Sequence, residues 1–501
     1  MAPRRLTAWL VAALAALLVA PAAWGAGDPI MPLSQVHRGM HCTARTVVQG
    51  TTITTFDVEV LDVVDASPDE DARILIRVSG PAVDSTGIGP GFSGSPVYCP
   101  DASSVQRVAG AISEGIGEYG NKTVLATPIE QMLGEPVVPP PGTRTDRRLM
   151  RSARPLAVPL AISGLPSALV PAVQDGARRA HRSLLATPSG AAARFAPQNL
   201  VPGASVSAGY SNGDLALGAI GVVTYRDGND IWAFGHPFEG AGRRSLFLQD
   251  AYVYDVVNNP SGGDLSTYKL AAPGHDLGTM TGDALAAITG RIGALPPTTP
   301  VTVIARDLDT GRVVTEASSV ADETDVGTPT GQLPLELLGP LSVATAGTNV
   351  FHGAPARQTG RMCATIALRE SRHPLRFCDR YVFATGGEFS GGGGALGNAM
   401  ASDVSEALTI VDGTTFAALH VTKLDVSARV ERGARLAYML SARGPRTAHP
   451  GQRIRVRLRI RRLRSTTSTI SFVTRLPRTL RPGRQPVVLV GTPDDGSGAS
   501  L

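Results

Sequence analysis

Short strand-like runs, each closed by turn residues, set the limits on what this chain can fold into. Over residues 30–136, β-branched and apolar runs fall at 51–64, 72–78, 96–99, 105–113 and 123–126, with Gly, Pro, Asp and Ser clusters between them. That is the pattern of a unit built from many short strands. A short helix is expected at 128–133, where the pattern changes. Composition points the same way: 5% aromatic residues against 56 Gly and 38 Pro favours a turn-rich, mostly β protein over a helical bundle.

Four regions follow. Residues 137–156 place Pro139, Pro140, Pro141 and Gly142 ahead of Arg144, Arg147, Arg148, Arg151 and Arg154, and read as a stiff, solvated linker or an exposed processing site. Residues 157–300 form a second β-rich block. At its centre a run at 218–225, a turn at Asp227-Gly228-Asn229-Asp230 and a run at 231–237 make a hairpin pattern. Residues 301–425 read as an α/β or β extension, with a glycine run at 386–394 that lacks the Lys-Ser/Thr of a phosphate loop. Residues 426–501 are expected to form a C-terminal β-sandwich-like domain with a disordered tail. Within it Arg453, Arg455, Arg457, Arg459 and Arg461 alternate with Ile454, Val456, Leu458 and Ile460, giving one apolar and one arginine face. The arginine face would either contact an anionic envelope surface or keep a solvated edge strand from pairing with other sheets.

The N-terminus reads as an export signal. Arg4 and Arg5 precede an apolar core at 10–20 and small residues near Gly25 and Ala26, so cleavage is expected there, with an uncleaved N-terminal anchor as the alternative. In an exported chain an even count of cysteines suggests disulfides, here Cys42–Cys99 and Cys363–Cys378. No Cys/His spacing matches a zinc site, and no cofactor is expected. The net charge of +5 is small for 501 residues and does not imply nucleic acid. Nearly all of the positive charge is arginine; lysine occurs only at Lys122, Lys269 and Lys423.

Two loops carry the chemistry. In Gly91-Phe92-Ser93-Gly94-Ser95-Pro96 a serine stands among small residues between two strand-like runs. The glycines permit a tight turn and leave room for a substrate carbonyl. The N–H groups of Gly91 and Ser93 would then form an oxyanion hole. The plain alternative is a Gly/Ser-rich turn without chemistry. In Phe234-Gly235-His236-Pro237 a histidine closes a strand between glycine and proline. Most of the nine histidines read as surface or satisfied core residues; His236 stands apart because its loop is punctuated like that of Ser93.

Three groups of residues together resemble the SpoIVB-type serine peptidase family, over about residues 30–300. The first runs from Met31-Pro32-Leu33-Ser34-Gln35-Val36 through Gly39-Met40 to Thr86-Gly87-Ile88 and the Ser93 loop. The second is the strand ending in Tyr225 with the His236 loop. The third is Lys269-Leu270-Ala271 with Gly278 to Asp283 and Gly290-Arg291-Ile292-Gly293. The resemblance implies two β-barrel-like blocks of the chymotrypsin-like peptidase type. It also implies an exported serine endopeptidase acting on protein or peptide substrates, with Ser93 as nucleophile and His236 as general base. Self-processing in the linker is a subsidiary expectation. The chain departs from the family pattern in two ways. Its serine half precedes its histidine half. Where the family has an acidic residue and proline before the serine loop, this chain has Gly80-Pro81, which leaves Asp84, Asp250 and Asp255 as candidates for the third member. A conventional trypsin-like order would instead need His37 or His41. The rival reading is a catalytically silent envelope scaffold or binding protein on the same fold.

Overall fold

The computed structural model describes residues 27–64, 71–116, 120–134, 159–171, 173–174, 185–189, 195–258, 267–326, 334–351, 353, 355–384, 396–462 and 465–484. The expected signal segment, the 137–156 linker, the glycine run and the C-terminal tail lie outside them. The protein is mostly β, as its patterning predicts.

The first unit is a closed six-stranded barrel. Its strands are β1 (His41–Val47), β2 (Ile53–Val64), β3 (Arg73–Ser79), β4 (Pro96–Pro100), β5 (Gln106–Gly115) and β6 (Thr123–Pro128), and helix α1 (Ile129–Leu133) follows. The spatial order is β1-β2-β3-β6-β5-β4. Alternation explains the strands: Phe56, Val58 and Val60 point inward from β2, and Ile74, Ile76 and Val78 from β3. Phe92, from the serine loop, is fully buried in the same core.

The next strands are β7 (Pro159–Ser163), β8 (Leu185–Ser189), β9 (Ser205–Gly209), β10 (Ser211–Gly213), β11 (Ala216–Asp227), β12 (Asp230–Ala233), β13 (Gly242–Asn258), β14 (Thr267–Asp283) and β15 (Ile288–Ile292), and all but β10 belong to the second unit. The pairings β9–β11, β11–β12, β12–β15, β15–β14, β14–β13 and β13–β9 close a ring. Numbered within that ring, the strands run first-second-third-sixth-fifth-fourth, the order of the first barrel. β7 and β8 extend the sheet from β11. The far ends of β13 and β14 reach past their own barrel onto the first, where Gly50 and Val253 exchange backbone hydrogen bonds and Asn258 donates to the Ser85 carbonyl. β11 is buried from Leu217 to Thr224 because its barrel covers one face and the first barrel the other.

A mixed sheet follows, in the order β10-β17-β16-β20-β18-β19. Its remaining members are β16 (Thr298–Asp307), β17 (Val313–Ala321), β18 (Arg357–Leu368), β19 (Leu375–Ala384) and β20 (Val421–Arg432). Helices α2 (Pro334–Asn349) and α3 (Leu396–Asp412) pack on it, and its core is continuous with that of the second barrel. The boundary expected at residue 426 therefore falls inside β20, which pairs in parallel with β16. The expected C-terminal sandwich is instead a three-stranded antiparallel sheet, β21 (Ala437–Arg443), β22 (Arg453–Arg462) and β23 (Thr467–Arg475), with β22 in the middle.

Both disulfides pair as expected. Cys42–Cys99 ties β1 to β4, and Cys363–Cys378 joins directly opposed residues of β18 and β19. Two disulfides indicate maturation in an oxidising, extracytoplasmic compartment. Among the described residues no helix is long and apolar enough to cross a membrane.

Candidate active site

The Ser93 loop and the His236 loop occupy the same place in their two barrels: each joins the third strand to the fourth. They meet where the barrels pack. A Cβ placed on Gly94 would fall 2.0 Å from the Val222 carbonyl oxygen and 2.6 Å from the Phe234 nitrogen, so the two backbones touch where only glycine fits.

Each loop takes hydrogen bonds from the opposite barrel. Val222 N–H donates to the Ser93 carbonyl (2.8 Å), Thr224 Oγ1 to the Gly94 carbonyl (2.8 Å) and Lys269 N–H to the Pro90 carbonyl (3.0 Å). In return Thr127 Oγ1, at the end of β6, donates to the Gly235 carbonyl (2.7 Å).

These bonds orient the serine loop's amides. In a trans peptide the C=O and the following N–H point in opposite directions. The Pro90 carbonyl is pinned to Lys269, so the Gly91 N–H faces the other way. The Phe92 carbonyl accepts from Ser95 N–H (3.0 Å) and Ser95 Oγ (2.7 Å), which turns the Ser93 N–H away as well. Neither the Gly91 nor the Ser93 N–H donates a hydrogen bond among the described residues. The Ser93 side chain is half-buried and its hydroxyl makes no hydrogen bond there either.

His236 is almost fully buried. Its Nδ1 lies 2.7 Å from the Pro237 carbonyl oxygen. A carbonyl only accepts, so Nδ1 carries the proton and Nε2 keeps its lone pair. Burial pushes the pKa down to about 4 against a modest upward pull from the Pro237 carbonyl, and the Arg73 guanidinium lowers it further. The imidazole is therefore neutral at physiological pH, with the base nitrogen free. Immediately before it, Phe234 (φ 70°) and Gly235 (φ 70°) both adopt the left-handed conformation. For a buried phenylalanine this is strain of the kind that clusters at functional sites.

None of the three expected carboxylates reaches this histidine. Asp84 is exposed and paired with Lys122, which holds its carboxyl below the usual range. Asp250 is buried but accepts from Gln198 N–H and from His275, through both the backbone N–H and the ring Nδ1. Asp255 is exposed, and its carboxylate accepts from Val256 N–H. His37 and His41 are both exposed.

The acidic residue that organises the histidine loop is Asp283, at the end of β14. Its carboxylate accepts from Phe238 N–H (2.7 Å), Glu239 N–H (2.8 Å) and Ala241 N–H (3.2 Å). Arg244, itself buried, lies 3.6 Å from Asp283, grips Glu323 with two nitrogens (2.9 and 2.8 Å) and pairs with Glu239 (2.7 Å). Three carboxylates thus share one guanidinium, and burial pushes the Asp283 carboxyl up despite Arg244. In the sequence Arg244 and Glu323 are 79 residues apart, which hides the cluster.

Lys269 lies under the serine loop. A Cβ on Gly91 would sit 2.9 Å from the Lys269 Cβ; the ammonium donates to Thr46 Oγ1 (2.6 Å) and lies 4.6 Å from the centre of the Phe92 ring. Burial lowers its pKa to about 7. Its signal in the sequence was rarity, a lysine in a chain that otherwise uses arginine. Among the described residues no group of three or more His, Cys, Asp or Glu is arranged to hold a metal. No family model, curated protein or solved structure matches this chain.

Proposed function

We propose that this chain is an exported serine endopeptidase, as its likeness to the SpoIVB-type family implies. Ser93 is the nucleophile and His236 the general base. The Gly91 and Ser93 N–H groups stabilise the oxyanion. His236 Nε2 takes the hydroxyl proton as Ser93 Oγ adds to the scissile carbonyl. The same proton then passes to the leaving amine, and water repeats the cycle on the acyl-enzyme. The Pro237 carbonyl fills the tautomer-fixing role usually given to a carboxylate, and Asp283 positions the loop that carries both. The observation that carries this reading is the pair of unspent N–H groups flanking an unbonded serine hydroxyl, packed against a loop whose histidine has its base nitrogen free.

The test is labelling of the mature protein with a fluorophosphonate probe, beside Ser93→Ala and His236→Ala. The expected result is labelling of the wild type that both substitutions abolish, with turnover on a peptide substrate falling on the order of 10⁶-fold. A well-folded wild type that resists the probe would support the second reading, a silent binding protein. One observation already favours that reading: no carboxylate bonds His236 among the described residues.

A further inference from the structure

Between Glu431 and Asp494 the sequence holds fifteen arginines and no Asp or Glu. The whole chain carries only +5, so the remainder is net acidic and the basic charge is concentrated in and around one small sheet. Register places seven of those arginines on one face. Arg453, Arg455, Arg457, Arg459 and Arg461 alternate along β22; Arg475 stands directly opposite Arg453, and Arg443 opposite Arg457. All seven are exposed, and the guanidinium groups of the five on β22 make no ion pair or hydrogen bond among the described residues. At about 7 Å between alternate residues, the β22 row alone spans about 27 Å.

Protection of a sheet edge does not explain this row. β22 is the central strand, paired on both sides, so its backbone offers no free edge. The arrangement also works against the sheet, because Arg453 with Arg475 and Arg457 with Arg443 are like charges placed directly opposite each other. Amid the guanidiniums, Val473 faces the same side across from Arg455 and is 47% exposed.

We propose that this face binds the surface of an anionic membrane. Guanidinium groups pair with lipid phosphates through two parallel N–H bonds. A planar array of them fits a planar array of headgroups and is relieved of its own repulsion there. Val473 then reaches the boundary between headgroups and acyl chains, an environment that the hydrated acidic surface of another protein does not offer. The face holds the protein at the membrane from the side, independently of the Ser93 site.

The test is co-sedimentation of the mature full-length chain with vesicles of equal parts phosphatidylglycerol and phosphatidylcholine, and with phosphatidylcholine alone. The expected result is binding to the first only, weakening as salt rises. The triple variant Arg455→Gln, Arg457→Gln, Arg459→Gln should lower the partition on the order of 100-fold. The corresponding Lys triple, which keeps the charge, should stay within a few-fold and guards against misfolding. Equal binding to both vesicle types, or no binding at low salt, would overturn the proposal. So would tight binding of a single-stranded oligonucleotide, or salt-sensitive self-association, without vesicle binding.

Discussion

The two barrels share one strand order and place their key loops on the same connection, yet they hold those loops by different physics. The serine loop is held by neutral backbone bonds and one buried lysine, and its conformation leaves two N–H groups unused. The histidine loop is held by charge: Asp283 collects three N–H groups and Arg244 balances three carboxylates. A loop that must stabilise a developing anion benefits from bare donors. A loop that must present a neutral base benefits from burial, which holds its imidazole unprotonated. The same scaffold position is thus tuned twice, in opposite electrostatic senses.

The largest expected difference between the loops lies in pH dependence. Lys269 titrates near 10.5 in an unfolded chain and at about 7 in the fold, so between those values the unfolded chain binds more protons and stability rises with pH. Full expression of that shift is about 5 kcal/mol. His236 has the same sign in a lower window: 6.5 unfolded against about 4 folded, so stability falls as pH drops through that range, by about 3 kcal/mol. Urea unfolding across pH should show both windows. Lys269→Met should flatten only the upper one and His236→Gln only the lower. The acid limb of probe labelling should lie near pH 4, and a limb near pH 6.5 would mean that His236 is not buried in the working enzyme.

Glycine substitution should separate the loops next. At Gly94 (φ 91°) an added methyl meets the main chain of the other barrel at 2.0 Å, and a carbonyl in a strand cannot move aside. Gly94→Ala should therefore cost on the order of 3 kcal/mol or more and abolish labelling, because it pries the barrels apart. At Gly235 (φ 70°) the nearest atoms are side-chain carbons of Ala111 and Ser113, at 3.2 and 3.3 Å. Gly235→Ala should cost about 1–2 kcal/mol, chiefly the left-handed backbone. Equal losses in thermal melts would mean that the loops do not meet at Gly94.

Much of this was legible in the sequence, for reasons that particular residues make plain. Alternation in 51–64 and 72–78 fixed β2 and β3 to within two residues at each end, because one face of each strand is buried and the other is not. The Ser93 and His236 loops were legible because glycine and proline mark unusual backbone locally. Asp283, Arg244 and Glu323 were not, because their meaning is a convergence from β14, β13 and the end of β17. The membership of β20 was hidden for the same reason: its parallel partner β16 lies more than a hundred residues earlier, and parallel pairing leaves no hairpin signature. The arginine row was legible as a face, but its central place in the sheet was not, and that place is what removes the edge-strand explanation.

The smallest expected effect tests whether the loops are clasped reciprocally. Thr224 Oγ1 reaches from the second barrel to the serine loop and Thr127 Oγ1 from the first barrel to the histidine loop, and both are fully buried. Threonine to valine keeps the shape and removes one donor, leaving a buried carbonyl unpaired at about 1 kcal/mol each. The stability losses should be alike. The activity losses should not. Thr224→Val frees the Gly94 carbonyl next to the nucleophile, whereas Thr127→Val frees the Gly235 carbonyl of a loop that Asp283 still holds by three bonds. Probe labelling should therefore slow more in Thr224→Val than in Thr127→Val at matched stability. The reverse order would mean that the histidine loop, despite its charge cluster, is the looser of the two.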